Sequence, residues 1–170
     1  MTKYTHRSKD VFNMQLEDID IEDIIYSLPN TCRYNGRITQ FYSVANHSLT
    51  LYNYLKRKKE TNHLAPYALV HDGCEAYIGD LVYPMKEKIP TFVALEKKIT
   101  NLIYQKFGLD IDDSILKEFN YYDKAIVINE MVALNIFDDY RNFYTHLQPL
   151  PSLEPLVVPS TPQSDRIDFV

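Results

Sequence analysis

The sequence predicts an all-α fold, a helical bundle, and three observations carry that expectation. Apolar residues recur at helical spacing through most of the chain, and stop and start signals punctuate them at Pro29, Ser43, Pro66, Gly79 and Gly108. No stretch alternates polar and apolar residues convincingly as a half-buried strand would. At 170 residues and 45% hydrophobic, the chain suits one domain with a single core. Residues 1–147 are assigned to that domain and 148–170 to an extended Pro-rich arm.

The elements follow in order. IEDIIYSLP reads as a short helix ended by Pro29, and TCRYNGRITQFY as a loop carrying Arg33 and Arg37, with Asn35-Gly36 as its turn. SVANHSLTLYNYLKRKK is a second helix with Ser43 as N-cap. APYALVHDGCEAYI starts a third, with Pro66 in the first turn where its missing N–H costs little, and stops at Gly79. DLVYPMKEKIP reads as a loop. TFVALEKKITNLIYQKFG is a helix stopped by Gly108, and DDSILKEFNYYDKAIVINEMVALNIFDDYRNF is one long helix or two joined. From Gln148 to Pro162 the tail holds five of the nine prolines but also Leu150, Leu153, Leu156, Val157 and Val158. That much apolar surface is unusual for a solvated linker, so an arm packed on its own core or on a neighbouring subunit is expected.

Charge and cysteine usage exclude several classes. A net charge of -5 with no long basic block argues against nucleic-acid binding, which needs a Lys/Arg surface to neutralise phosphates. The cluster Lys56-Arg57-Lys58-Lys59 falls at the end of a helix, where cations suit the helix dipole. No apolar run reaches the roughly 18 residues of a membrane span, and MTKYTHRSKD lacks the apolar segment of a secretory signal. Cys32 and Cys74 read as reduced thiols. A soluble cytoplasmic protein is expected.

Four polar residues on apolar faces point to chemistry. At about 100° per residue, Asp72 lies about 100° and Glu75 about 40° from His71, so one side of that helix carries an imidazole and two carboxylates. His47 shares its face with Val44, Leu51, Tyr54 and Leu55, and Asp123 shares its face with Ile126, Val127, Leu134, Phe137 and Glu130. A buried carboxylate must be charge-paired, hydrogen-bonded, metal-bound or neutralised. A divalent cation relieves several at once, and His47, His71, Asp72 and Asp123 form a borderline donor set suited to Zn, Mn, Fe, Co or Ni with coordination positions left open. One inward histidine is ordinarily a hydrogen-bonded core residue; the whole combination is hard to obtain by chance.

The order His, His-Asp, Asp resembles the HD-domain phosphohydrolases. More narrowly, FYSVANHSL, HDGCEAYIGD, the following YPMK and the preceding CRYNG are similar to small nucleotide-directed members, the bacterial 5′-deoxynucleotidases and bacteriophage dATP triphosphohydrolases. The resemblance spans about residues 21–137. Several relatives continue the first motif with Gly-His where this chain has Gly36-Arg37, so a role resting on that histidine is absent or altered here.

That resemblance implies an HD-domain helical bundle around a central divalent metal, Zn, Co, Mn or Mg, held by His47, His71, Asp72 and Asp123. Glu75 would be the general base acting on water. Asp80 matches the position that meets the sugar 3′-hydroxyl, with the alternative that it merely caps the turn after Gly79. Lys86 and Arg33 match phosphate-binding cations, and Tyr34 could stack on a base. Arg37, Lys124 and Arg141 are weaker cationic candidates. The implied substrate is a small-molecule deoxynucleotide, first dATP cleaved to deoxynucleoside and triphosphate, with dNMP hydrolysis as the alternative. A non-catalytic nucleotide-binding module is the reading from another class. Relatives imply a homo-oligomer, a dimer or a hexamer.

Overall fold

A computed structural model describes residues 10–136 and 148–151. Those residues are mostly helical, and the one β feature among them is an isolated antiparallel bridge between Cys32 and Ser43. The helices are α1 (Ile21–Ser27), α2 (Val44–Lys56), α3 (Ala65–Val70), α4 (Glu75–Ile78), α5 (Tyr83–Lys86), α6 (Pro90–Lys106) and α7 (Asp113–Ala133). None is long and apolar enough to cross a membrane.

Local chemistry sets the boundaries. Ser43 caps α2 by accepting from the Asn46 N–H at 3.0 Å, and Asp112 caps α7 through the N–H groups of Ser114 and Ile115. At the end of α6, Gly108 takes φ 66° and the Leu109 N–H returns to the Tyr104 carbonyl. α7 closes in the same way without a glycine. Asn135 adopts φ 53°, and the Ile136 N–H reaches back to the Met131 carbonyl at 2.9 Å. Helix α7 therefore stops at Ala133, and Phe137, expected on its apolar face, lies outside the described residues.

Two segments depart from the sequence expectation. The third helix does not run unbroken from Ala65 to Ile78: between α3 and α4 the N–H groups of Gly73, Glu75 and Ala76 bond to carbonyls three residues back, a tighter winding than an α-helix. Gly73 fits this turn because a Cβ there would stand 2.9 Å from the Val70 carbonyl oxygen and 3.1 Å from Ile103 Cδ1. The expected loop after Asp80 contains α5, with Pro84 in its first turn.

α2 lies at the centre, packed on α3, α7 and the 3₁₀ turn Leu28–Asn30. Its buried residues include His47 and also Val44, Ala45, Leu51 and Leu55, the last four of which join Ile24, Leu64, Ala68, Ile99, Ile103, Phe119 and Ile126 in the main core. Burying a large apolar side chain contributes about 1.5–3 kcal/mol, and these residues frame the polar cluster from several sides. A smaller cluster holds Tyr42, Val127, Met131, Leu134 and Ile136, with Tyr34 and Ile38 against it. The start of the tail packs on the chain's own core: Leu150 is buried, and Asn129 of α7 both accepts from its N–H at 2.8 Å and donates to its carbonyl at 3.1 Å. Residues 152–170 of the expected arm lie outside the described residues.

Candidate metal centre

Three parts of the chain deliver the candidate ligands. The regular winding of α2 from Ser43 turns His47 inward, where it is wholly buried. The tight turn between α3 and α4 supplies His71 and Asp72, and the middle of α7 supplies Asp123. His47 Nε2 stands 3.2 Å from His71 Nε2, 3.0 Å from Asp123 Oδ1 and 3.9 Å from Asp72 Oδ2. His71 Nε2 lies 3.2 Å from Asp72 Oδ2 and 3.3 Å from Asp123 Oδ1. Donors each about 2.0–2.2 Å from a Zn ion would stand roughly 3–3.6 Å apart. His47, His71 and Asp72 could thus hold a metal ion, and Asp123 Oδ1 lies against both imidazole Nε2 atoms.

The outer nitrogens orient the rings. His71 Nδ1 is 3.0 Å from the Ala68 carbonyl, which can only accept, so Nδ1 carries a proton and Nε2 turns toward the cluster. Phe119 meets the His71 ring edge-on at 5.1 Å. His47 Nδ1 is 2.5 Å from Glu130 Oε1. Glu130 is wholly buried, and it also accepts from Tyr42 Oη at 3.0 Å, from Arg33 at 3.3 Å and from the Tyr34 hydroxyl. The other arm of Arg33 reaches Asp72 Oδ2 at 3.4 Å.

Comparison with known proteins places the chain. No family model matches it. Escherichia coli (strain K12) YfdR, whose name assigns no activity, is 33% identical over 147 residues, covering 86% of this chain and 78% of YfdR. The chain belongs to the YfdR family. The Rhodobacter capsulatus protein RCAP_rcc00048, also described as uncharacterized, is 36% identical over 110 residues, 61% of this chain and 55% of that protein. The chain thus spans about half the length of this second relative.

In this member of the YfdR family the site is electrostatically polarised. Burial opposes charge on His71, but the Asp72 and Asp123 carboxylates outweigh it and raise its pKa well above the ordinary value. Burial alone would push Asp123 up, yet His71 and a hydrogen bond from His47 hold it well below the carboxylate range. For Glu130, Arg33 and His47 overcome burial and bring the carboxyl down to about 2. Glu75 goes the other way. Burial, followed by the nearby charges of Asp72 and Asp80, raises its pKa well above the usual range. It begins α4, is 5% exposed, and its Oε2 has no hydrogen-bond partner among the described residues.

The remaining candidates are placed less uniformly around this YfdR-family centre. Arg33 is partly buried, and its Nε has no hydrogen-bond partner among the described residues. Tyr34 engages Glu130 through its hydroxyl, with Arg33 5.4 Å from its ring centre, rather than presenting a free ring. Lys86 pairs with Glu96 at 2.5 Å while still feeling Asp72 and Glu75. Asp80 is partly buried within range of Arg33 and Lys86, and Val82, not Asp80, occupies the N-cap of α5. Arg37 and Lys124 are exposed, and Arg141 lies outside the described residues. Sequence reasoning did not single out Tyr42 or Glu96, and it noted Glu130 only as inward. Glu130's seven-residue spacing from Asp123 was the one available signal.

Proposed function

We propose that this protein is a metal-dependent phosphohydrolase of the HD-domain type acting on deoxynucleoside phosphates, with conversion of dATP to deoxyadenosine and triphosphate as its leading reaction. The observation carrying this reading is the meeting of His47 Nε2, His71 Nε2, Asp72 Oδ2 and Asp123 Oδ1 beside a buried carboxylate with an unpartnered oxygen, Glu75. A divalent metal held by those four residues, Zn, Co, Mn or Mg, would supply Lewis acidity toward a phosphoryl oxygen and toward water.

The protein's own groups do the rest. Glu75, made more basic by burial and by neighbouring carboxylates, takes the proton of the water that attacks the α-phosphorus. The bond from phosphorus to the 5′-oxygen breaks, and the proton passes to that oxygen as the deoxynucleoside leaves. Arg33 offers its unpartnered Nε to the phosphoryl charge, and Lys86 adds a second cation from α5. Asp80 accepts from the sugar 3′-hydroxyl, and Tyr34 lines the base side of the site beside Arg33. A cytoplasmic location is consistent with the free thiols of Cys32 and Cys74, and the resemblance supports a homo-oligomer.

Incubating the protein separately with dATP and dAMP in the presence of Co, Mn, Zn or Mg, and resolving products by chromatography, tests the reading. Deoxyadenosine and triphosphate from dATP are expected. Phosphate from dAMP alone makes the protein a 5′-deoxynucleotidase. No turnover with any ion, together with no bound metal after purification, makes it a nucleotide-binding module.

A further inference from the structure

The Arg33–Tyr34 segment is held in an unusual backbone. Tyr34, Asn35 and Gly36 take φ of 58°, 53° and 70°, three consecutive left-handed residues of which only the last is a glycine. A non-glycine residue persists in that region only where its surroundings over-determine it. The Cys32–Ser43 bridge secures one side of the loop, with Arg33 N–H on the Tyr42 carbonyl at 2.9 Å and Val44 N–H on the Thr31 carbonyl at 2.9 Å. On the other side the side chains of Arg33 and Tyr34 both end on Glu130.

Glu130 also stands behind His47. Its two oxygens receive donors from four residues, so the carboxylate acts only as an acceptor. The His47 ring nitrogen facing it therefore carries a proton, so a metal ion would displace only the proton that Nε2 shares with Asp123 and take the Nε2 lone pair. We infer that Glu130 is a positioning residue with two linked tasks: it locks His47 in the metal-binding tautomer, and it clamps the strained Arg33–Tyr34 loop over the same site. Loop order and metal affinity then share one carboxylate, and loss of Glu130 degrades both.

This inference rests on the metal-centre reading, and the experiment separates the two. Cobalt(II) is titrated in competition with a chelator and followed by visible absorption, while cleavage at the exposed Arg37 by dilute trypsin is followed by mass spectrometry. Wild-type protein is expected to bind cobalt and to be cut slowly. Glu130→Gln is expected to lose about 10–100-fold in cobalt affinity, the usual range for a lost partner of a ligating histidine, and to be cut faster. Tyr34→Phe leaves the Glu130–His47 contact in place, so it should keep cobalt affinity but be cut faster. Cobalt affinity unchanged in folded Glu130→Gln overturns the tautomer task, and slow cutting of both variants overturns the clamp. Should Glu130→Gln fail to fold, the zinc-loaded wild type decides. Its His47 Nδ1–H should appear as a low-field, slowly exchanging proton resonance, and its absence overturns the inference. A wild type that binds no cobalt overturns the metal-centre reading itself.

Discussion

Lys86 and Glu96 meet across α5 and α6 with Nζ and Oε1 2.5 Å apart, both about three-quarters buried. The pair leaves the ammonium two further donors and keeps it within the field of Asp72 and Glu75. Substrate phosphate would share Lys86 with Glu96. Lys86→Met is therefore expected to raise KM for the nucleotide about 10–100-fold with a smaller effect on kcat, from the roughly 1.5–3 kcal/mol of a charged hydrogen bond. Glu96→Gln should lower KM by removing a competing anion. Steady-state kinetics on both variants check this; an unchanged KM in Lys86→Met removes Lys86 from the phosphate site.

Glu75→Gln keeps the shape of the buried side chain and removes its proton affinity. Turnover should fall about 10²–10⁴-fold while metal content, read by elemental analysis, stays at the wild-type level. Retention of near-wild-type turnover would take the general-base role away from Glu75.

His71→Ala removes a candidate ligand and its bond to the Ala68 carbonyl. An ion that binds only the folded protein stabilises it by about 2.7 kcal/mol at a hundredfold excess over Kd. For a chain of this size that corresponds to roughly 5–11 °C in Tm. Differential scanning calorimetry with and without Zn should show such a rise for wild type and none for His71→Ala. An equal rise in both would place the ion elsewhere.

The metal-free protein should lose stability on both sides of mildly acidic pH. Glu130, lowered from 4.5 to about 2 by Arg33 and His47 against the opposing effect of burial, contributes stability that is complete above 4.5 and is lost as pH falls through about 2. His71, raised from 6.5, contributes stability that is complete below 6.5 and is lost as pH rises through its elevated value. Glu75, raised from 4.5 mainly by burial, adds to the alkaline loss because its ionisation is disfavoured in the fold. Metal binding displaces the imidazole protons, so the metal's stabilisation should instead grow with pH. Urea midpoints across pH, with chelator and with Zn, measure both trends. A chelated protein that gains stability from pH 6.5 upward would contradict the charge arrangement.

Gly73→Ala places a methyl 2.9 Å from the Val70 carbonyl oxygen, a backbone atom that cannot yield cheaply, and 3.2 Å from Ile24 Cδ1. Overpacking of this kind costs about 1–3 kcal/mol. Urea denaturation should show that loss, and cobalt titration should show weaker binding because His71 and Asp72 sit in the same turn.

Much of the fold and of the cluster was legible because α2 and α7 are regular. A 3.6-residue count from Ser43 places His47 inward, and the same count places Asp123 and Glu130 on the buried side of α7. At His71 the same arithmetic was applied to a segment that winds more tightly. It still brought Asp72 and Glu75 together, because residues three apart share a face in either winding. Partnerships between distant residues were not legible. The bond from the Tyr34 hydroxyl to Glu130 could not be read, because the two lie 96 residues apart. The pairing of Lys86 with Glu96 was hidden because Glu96 belongs to another helix, and α5 was hidden in a stretch whose proline and charges resemble a turn. Tyr42 carried no distinguishing signal among fourteen tyrosines.

His47 and Asp123 stand 76 positions apart in the chain yet bring Nε2 and Oδ1 within 3.0 Å of each other. An ion bridging them would act as a non-covalent crosslink, closing a long loop whose entropy grows only slowly with length. Removing the ion would then slacken the seam between α2 and α7 along with the chemistry, so amide hydrogen exchange in those two helices should quicken first when a chelator is added.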